Sequence, residues 1–372
     1  MKKRRKIGIA AVSAVLAVAV SVTCGASGCG KKTVEKEVTV TSYVTDDSHV
    51  YSSTAEVVNA VADSVVEIST ESVTTQWGTQ YVVSGAGSGV IIGKAKSENY
   101  YYIVTNNHVI DGAKNVTVKT RVGTAYDAEL IATDDSADIA VIKITTTYDL
   151  SVAVWGDSDD LQIGEDLIAI GNPLGSLGGT VTKGILSATG RSIEVGNYAM
   201  TLLQTDTAIN PGNSGGGLFN MRGELIGVVN AKTTDEEIEG ICFAIPANTA
   251  RSVCGDLLEH GYIVGRATFN VTVANGTVSA GGMSSQSIVY VTDVGNVAEG
   301  TFLKYDRIYS VNGEKVSSVL EFNKALAKTN VGDEVAIEVY RGSLTQSMWG
   351  GSSISFSTET TSFTVKAAQY GA

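Results

Sequence analysis

Gly212-Asn213-Ser214-Gly215-Gly216 is the stretch from which the rest of the chain can be read. A serine between glycines sits where the backbone can turn tightly and bare its N–H groups. A serine hydroxyl is a poor nucleophile at neutral pH. It needs an imidazole to take its proton, and the imidazole needs a carboxylate to fix its tautomer and stabilise the imidazolium that forms. Working outward, the chain holds only three histidines, His49, His108 and His260. His108, in Thr105-Asn106-Asn107-His108-Val109, ends an apolar run and opens a turn, so its ring can reach two partners. For the carboxylate, Asp138 opens the apolar run Asp138-Ile139-Ala140-Val141 and can be half buried there. Asp134 and Asp135, in the polar run before it, compete for the role and read as solvated turn residues. Ser88, in Gly85-Ala86-Gly87-Ser88-Gly89, also reads as a turn residue.

The order His, Asp, Ser along the chain is that of the chymotrypsin-type double β-barrel; subtilisin-type and α/β-hydrolase folds use other orders. The surrounding sequence agrees. Short β runs with turn residues between them are predicted at 65–68, 89–92, 101–105, 116–119, 125–131 and 139–144. More follow at 167–170, 180–188, 202–205, 225–230 and 241–245, with almost no helix among them, a pattern of barrels rather than of a parallel sheet. Thr54 caps a short helix before the first strand. Asn248 caps a second helix that runs to about His260, with Gly261 as its stop. Beyond it come strands at 288–291, 307–311 and 335–340 and an amphipathic helix at 319–328, enough for one compact α+β domain. The fold class expected is mainly β: a double β-barrel followed by a small α+β domain.

Composition sets the compartment. Hydrophobic residues make up 43% and charged residues 18%, values of a globular chain rather than a disordered one; Gly is abundant at 41 and Pro rare at 3, as in a chain of tight β-turns. Lys2-Lys3-Arg4-Arg5-Lys6 followed by the uncharged apolar run 7–22 reads as an export segment. Ala26-Ser27-Gly28-Cys29 resembles a bacterial lipobox, which makes 1–28 a lipoprotein-type signal peptide and Cys29 the lipidated first residue. Cys24 fits that role less well, because Thr23 precedes it. An uncleaved signal anchor is the other reading of the same segment. Residues 29–53 form a polar spacer. Removing the five basic residues of 1–28 takes the formal charge from −12 to −17, which excludes nucleic acid as a partner and leaves membrane attachment to the N-terminus. Cys242 and Cys254 read as two buried free thiols. No zinc spacing exists, and neither metal nor cofactor is expected.

TNNHVI (105–110), DIAVIKI (138–144), GDSDDLQIGEDLIAIGNPLG (156–175), QTDTAINPGNSGGGLFN (204–220), GELIGVVNAK (223–232) and GICFAIPANT (240–249) resemble, in order, the blocks of the HtrA/Deg-type proteases. DRIYSVNGEKV (306–316) and VGDEVAIEVYRG (331–342) resemble that family's PDZ domain more loosely. The resemblance implies a trypsin-like domain at 54–260 and one PDZ domain at 261–372. It puts the catalytic role on His108, Asp138 and Ser214, with the amides of Gly212 and Ser214 as the oxyanion hole. It implies a substrate pocket along Val228, Val229, Asn230, Ala231 and Lys232, where Val229 and Lys232 depart from the family's usual residues. Thr268-Phe269-Asn270-Val271 falls where a PDZ domain holds a peptide's C-terminal carboxylate, although the usual glycine is absent. Phe269, Asn270 and Val271 are thus the expected peptide-binding residues. Asn213 stands where pancreatic-type zymogens use an aspartate to capture a new N-terminal ammonium. An amide cannot hold that ion pair, so activation is expected from loop ordering. Implied partners are unfolded or misfolded polypeptides, protein C-termini and further copies of the chain in a homotrimer. The function expected is a membrane-tethered extracytoplasmic endopeptidase for damaged exported proteins. A signalling protease with one regulatory substrate, or a chaperone or scaffold, are the alternatives.

Overall fold

In the computed structural model the described residues are 50–76, 79–95, 98–172, 179–210, 212–231, 240–279, 284–298, 300–346 and 352–371. The chain forms two compact units. One runs to Gly190 and resumes over Leu202–Glu259; the other comprises Arg191–Thr201 and His260–Ala372. The second unit thus takes in a stretch, Arg191–Thr201, that the sequence reading assigns to the first domain.

The first unit holds two antiparallel rings of strands. Strands β1 (Val65–Gln76), β2 (Thr79–Lys94), β3 (Tyr100–Thr105), β4 (Asn115–Lys119), β5 (Ala125–Asp134) and β6 (Ile139–Thr145) close in the order β1-β2-β3-β6-β5-β4. Closure is made where β1 meets β4, Glu67 opposite Lys119. Period-two alternation aims Val66 and Ile68 of β1 and Ala140, Ile142 and Ile144 of β6 at one core with Ile91 and Ile103. The second sheet contains β7 (Val154–Trp155), β8 (Asp166–Gly171), β9 (Thr180–Val195), β10 (Tyr198–Thr205), β11 (Gly217–Asn220), β12 (Glu224–Asn230) and β13 (Cys242–Pro246). Its order is β11-β8-β9-β10-β13-β12-β7, and the β11–β12 pairing closes a ring that leaves β7 outside it, parallel to β12. Burying β12 along its whole length explains why Glu224–Asn230 reads as a near-continuous apolar run.

Two helices start earlier than the caps read from the sequence, while the one expected from Val319 starts there. Helix α1 (Thr54–Val61) is capped by Ser53, whose hydroxyl accepts the Glu56 N–H at 3.3 Å. Thr54 is its first residue rather than its cap. A four-residue turn of helix, α2 (Asn107–Ile110), follows β3. In α3 (Ala247–Glu259) Asn248 lies inside the helix; its N–H donates to Ser158 Oγ at 3.1 Å and its side chain to Asp157 Oδ1 at 2.7 Å. That contact holds the Asp157 carboxyl below its ordinary range. Ala247, Ala250, Val253, Cys254 and Leu257 form the buried stripe of α3 at helical spacing. Gly261, at φ +80°, follows it in the left-handed conformation that ends helices.

The second unit carries β14 (Ala267–Thr268), β15 (Val271–Ser279), β16 (Ser285–Val294), β17 (Arg307–Val311), β18 (Glu314–Lys315), β19 (Glu334–Gln346), β20 (Ser352–Lys366) and β21 (Ala368–Gln369). Its main sheet runs β15-β16-β17-β19-β20, with β14 paired to β21. Helix α4 (Val319–Leu326), capped by Ser318, buries Val319, Phe322 and Ala325 against that sheet's core. Phe269, Phe302, Phe322 and Phe363 meet there edge-on or tilted, with centroids 5.1–6.0 Å apart. Beneath them the fully buried Asp306 takes Arg341 Nη1 at 2.5 Å and the Leu303 N–H at 2.8 Å. Burial pushes the Asp306 carboxyl up, and Arg341 pulls it part of the way back.

Candidate active site

His108 stands in α2, just past the end of β3. Asp138 ends the turn before β6, and Ser214 opens the turn before β11. The two rings bring these three together. His108 Nδ1 lies 2.7 Å from Asp138 Oδ2, and His108 Nε2 lies 3.1 Å from Ser214 Oγ. Asp138 and Ser214 are buried, while the imidazole keeps 23% of its side-chain surface open. Such a ring is shielded on the carboxylate side yet reachable from the other, as a proton carrier between a buried group and a substrate must be.

The carboxylate is over-determined. Its Oδ1 accepts the backbone N–H of His108 at 2.9 Å, and its Oδ2 accepts Asn230 Nδ2 at 2.9 Å as well as the imidazole. The backbone of Asp138 is itself left-handed, φ +51°, where Asp is one of the few L-residues tolerated. Asn106 Nδ2, donating to the Asp138 carbonyl at 3.0 Å, ties that conformation to the end of β3. The competing aspartates are occupied otherwise. Asp134 is buried rather than solvated, and accepts from Ser136 Oγ and the Ala137 N–H to close the turn. Asp135 accepts from Asn107 Nδ2.

Around the nucleophile, Gly215 N–H donates to the Val229 carbonyl and Val229 N–H to the Gly216 carbonyl, at 3.0 and 2.9 Å. Ser214 Oγ also accepts the Ala231 N–H at 3.3 Å. Gly212 adopts φ +100° and Gly215 φ +81°, conformations only glycine takes without strain. Asn213 is buried, and among the described residues neither atom of its side-chain amide has a hydrogen-bond partner.

Of the five residues expected to line a pocket along β12, two are fully buried valines and one is bonded to Asp138. Val228 and Val229 have no exposed surface, and Val229 packs into the core with Leu218 and Ala244, so neither side chain offers a face to a substrate. Asn230 is committed to Asp138. Ala231 borders Ser214 through its N–H, and Lys232 lies outside the described residues. In the second unit the loop 268–271 also departs from the expectation. Phe269 is turned into the aromatic core, and Asn270, at φ +55°, donates its N–H to Thr268 Oγ1 at 3.0 Å. Of the amides expected to meet a carboxylate, that one is already engaged, and Val271 begins β15 opposite Val294. Cys242 and Cys254 are buried and free, and burial pushes both thiols up. Cys29 and Cys24 lie outside the described residues, among which no helix is long and apolar enough to cross a membrane.

Two residues have roles that the sequence did not give them, Asn230, expected in the substrate pocket, and Ser88, expected in a turn. Asn230 is an amide at the end of a buried strand, and most buried amides are hydrogen-bonded; that is the signal that marks it. Ser88 is not a turn residue but a fully buried member of β2, and its glycine neighbours conceal this.

Fold and site together define a trypsin-like peptidase domain, whose family matches residues 87–228, and a PDZ domain, whose family matches 270–348. The chain is 37% identical over 276 residues to the serine protease Do-like HtrA of Bacillus subtilis strain 168, covering 69% of this chain and 61% of that protein. It is 37% identical over 271 residues to the periplasmic serine endoprotease DegP of Escherichia coli K12, covering 71% and 56%. The chain thus spans less than two thirds of the length of these relatives. Among solved structures, the HtrA-type protease AlgW with tripeptide matches at 30% identity and a TM-score of 0.52, covering 86% of this chain and 98% of that one. The serine endoprotease from Yersinia pestis matches at 31% and 0.52, covering 86% and 99%. The chain belongs to the HtrA/Deg family.

Proposed function

We propose that this protein is a serine endopeptidase that works outside the cytoplasm on misfolded or damaged exported proteins. The observation that carries the reading is one imidazole within hydrogen-bond reach of both a buried carboxylate and a serine hydroxyl. Ser214 Oγ attacks the scissile carbonyl as His108 Nε2 takes its proton. Asp138 holds the ring in the right tautomer and stabilises the imidazolium. The amides of Gly212 and Ser214 receive the oxyanion, each worth about 3 kcal/mol to the transition state. Collapse expels the amine with the proton from His108 and leaves an acyl group on Ser214. Water, deprotonated by the same imidazole, then releases the acid.

Relatives named as periplasmic proteases support the compartment. Tethering through a lipid on Cys29, or through an uncleaved anchor, follows from the sequence of the export segment. In this reading residues 261–372 receive the C-termini of unfolded chains, with copies assembling as a trimer. A fluorophosphonate probe tests the chemistry: wild type is labelled and digests casein, and Ser214→Ala does neither while keeping its melting temperature. Cleavage by folded Ser214→Ala at the wild-type rate overturns the assignment.

A further inference from the structure

For two amides to receive one oxyanion, the Gly212 N–H must be held toward the same point as that of Ser214. Glycine is the residue least able to hold a direction by itself. The Asn213 side-chain amide has no hydrogen-bond partner among the described residues, and the Asn213 backbone N–H, donating to the Asn210 carbonyl at 3.0 Å, holds the Gly212–Asn213 peptide from one side only. The restraint on its other side, at the carbonyl, comes from β2. Ser88 donates its hydroxyl to the Gly212 carbonyl at 2.7 Å and accepts the Asn172 N–H on the same oxygen at 2.8 Å. With that lone pair occupied by an N–H, the hydroxyl proton is left to point at Gly212. Its backbone N–H donates to the Ser214 carbonyl at 2.8 Å, so one residue grips the nucleophile loop at two carbonyls. Ser88 is itself held, because its carbonyl accepts Thr105 Oγ1 at 2.7 Å, at the end of the strand that leads to His108.

The fit is tight on both sides. A Cβ at Gly215 would collide with the Ser88 carbonyl, and one at Gly87 would sit 2.6 Å from Val109 Cγ1. Gly87 and Gly215, next to Ser88 and Ser214, therefore serve close approach as much as turning. Pinning the Gly212 carbonyl fixes ψ at that residue, and with φ near +100° this fixes where its N–H points.

We propose that Ser88 is a positioning residue for the oxyanion hole, setting the Gly212 amide through the Gly212 carbonyl. The proposal rests on the peptidase reading above. It separates from a merely structural role because it acts on the tetrahedral state and not on substrate binding.

Ser88→Ala is expected to lower kcat by about 10- to 100-fold, less than the loss of an oxyanion donor itself, with KM changed by less than about threefold. Affinity for a peptidyl boronate, which forms a tetrahedral adduct on serine, should fall in proportion to kcat/KM. The probes are a fluorogenic peptide built around a bond cleaved in casein and the boronate of the same sequence. Ser88→Thr, which keeps a hydroxyl, should recover part of the loss. If Ser88→Ala does not fold, Ser88→Cys, a weak donor of similar shape, carries the same pattern in smaller measure. Wild-type kcat and boronate affinity in a folded variant overturn the proposal, as does a loss shared equally by KM and boronate binding. Ser214→Ala, run beside them, distinguishes the two claims. Full activity there removes the peptidase reading, whereas an inactive Ser214→Ala beside a normal Ser88→Ala removes only the role of Ser88.

Discussion

Asp138→Asn asks most of the geometry. Its three side-chain donors divide two to one: Asn230 and the imidazole on Oδ2, the His108 N–H on Oδ1. An asparagine must put its NH2 on one side. On the Oδ2 side it would oppose two donors, so its oxygen takes that side and its NH2 faces one backbone N–H. The variant therefore keeps the fold and much of the ring's orientation, and loses the charge. When His108 becomes an imidazolium, charge centres about 4 Å apart in an effective dielectric of about 20 no longer attract by about 4 kcal/mol. At about 1.4 kcal/mol per decade this is a kcat roughly a thousandfold lower, with KM little changed. The assay is steady-state hydrolysis of a fluorogenic peptide, with urea unfolding alongside to establish that the protein is folded. A folded Asp138→Asn with kcat within about tenfold of wild type would refute the reasoning and move the carboxylate role elsewhere.

Asn230→Ala removes one donor from a buried carboxylate and should destabilise the first unit by about 2 kcal/mol, read by denaturant unfolding, and reduce kcat by about tenfold; Asn230→Thr, which keeps a donor, should recover part of both. Arg341→Met leaves Asp306 buried without its cation and should cost the second unit about 3 kcal/mol at neutral pH. The folded-state Asp306 carboxyl already lies above its ordinary value, and the variant raises it further. The stability this group contributes is present below the unfolded-state value and is lost as pH rises through the folded one, so the defect should shrink on acidification. Equal defects at pH 4 and pH 7 would exclude Asp306 as its source. Cys242 and Cys254, buried with raised thiols, should resist a disulfide-exchange reagent until denaturant is added. Stoichiometric reaction in the native state would contradict their burial.

What the sequence determined by itself is what local chemistry and patterning determine. A serine among glycines, a lone histidine at a strand end and an aspartate opening an apolar run limit the chemistry, because few residue types can activate a hydroxyl. Period-two patterning located the buried halves of the strands, where one face must be apolar. It failed where neither face is buried: β2 runs exposed through Thr79–Ser84, paired with the far half of β1, and even Tyr81, Val82 and Val83 stay at the surface there, so no alternation marks the strand. The far end of β19 and the whole of β20 also lie outside the strands read from the sequence. Only the tertiary structure decided which polar groups share a buried space. Asn230 reads as one more residue of a strand until folding sets it 2.9 Å from a carboxylate 92 positions away. Ser88 reads as a turn until closure of the two rings puts it against a carbonyl 124 positions on. Hydrogen bonds of that span leave no local period, because their partners are chosen by the packing of the barrels and not by neighbours in the chain.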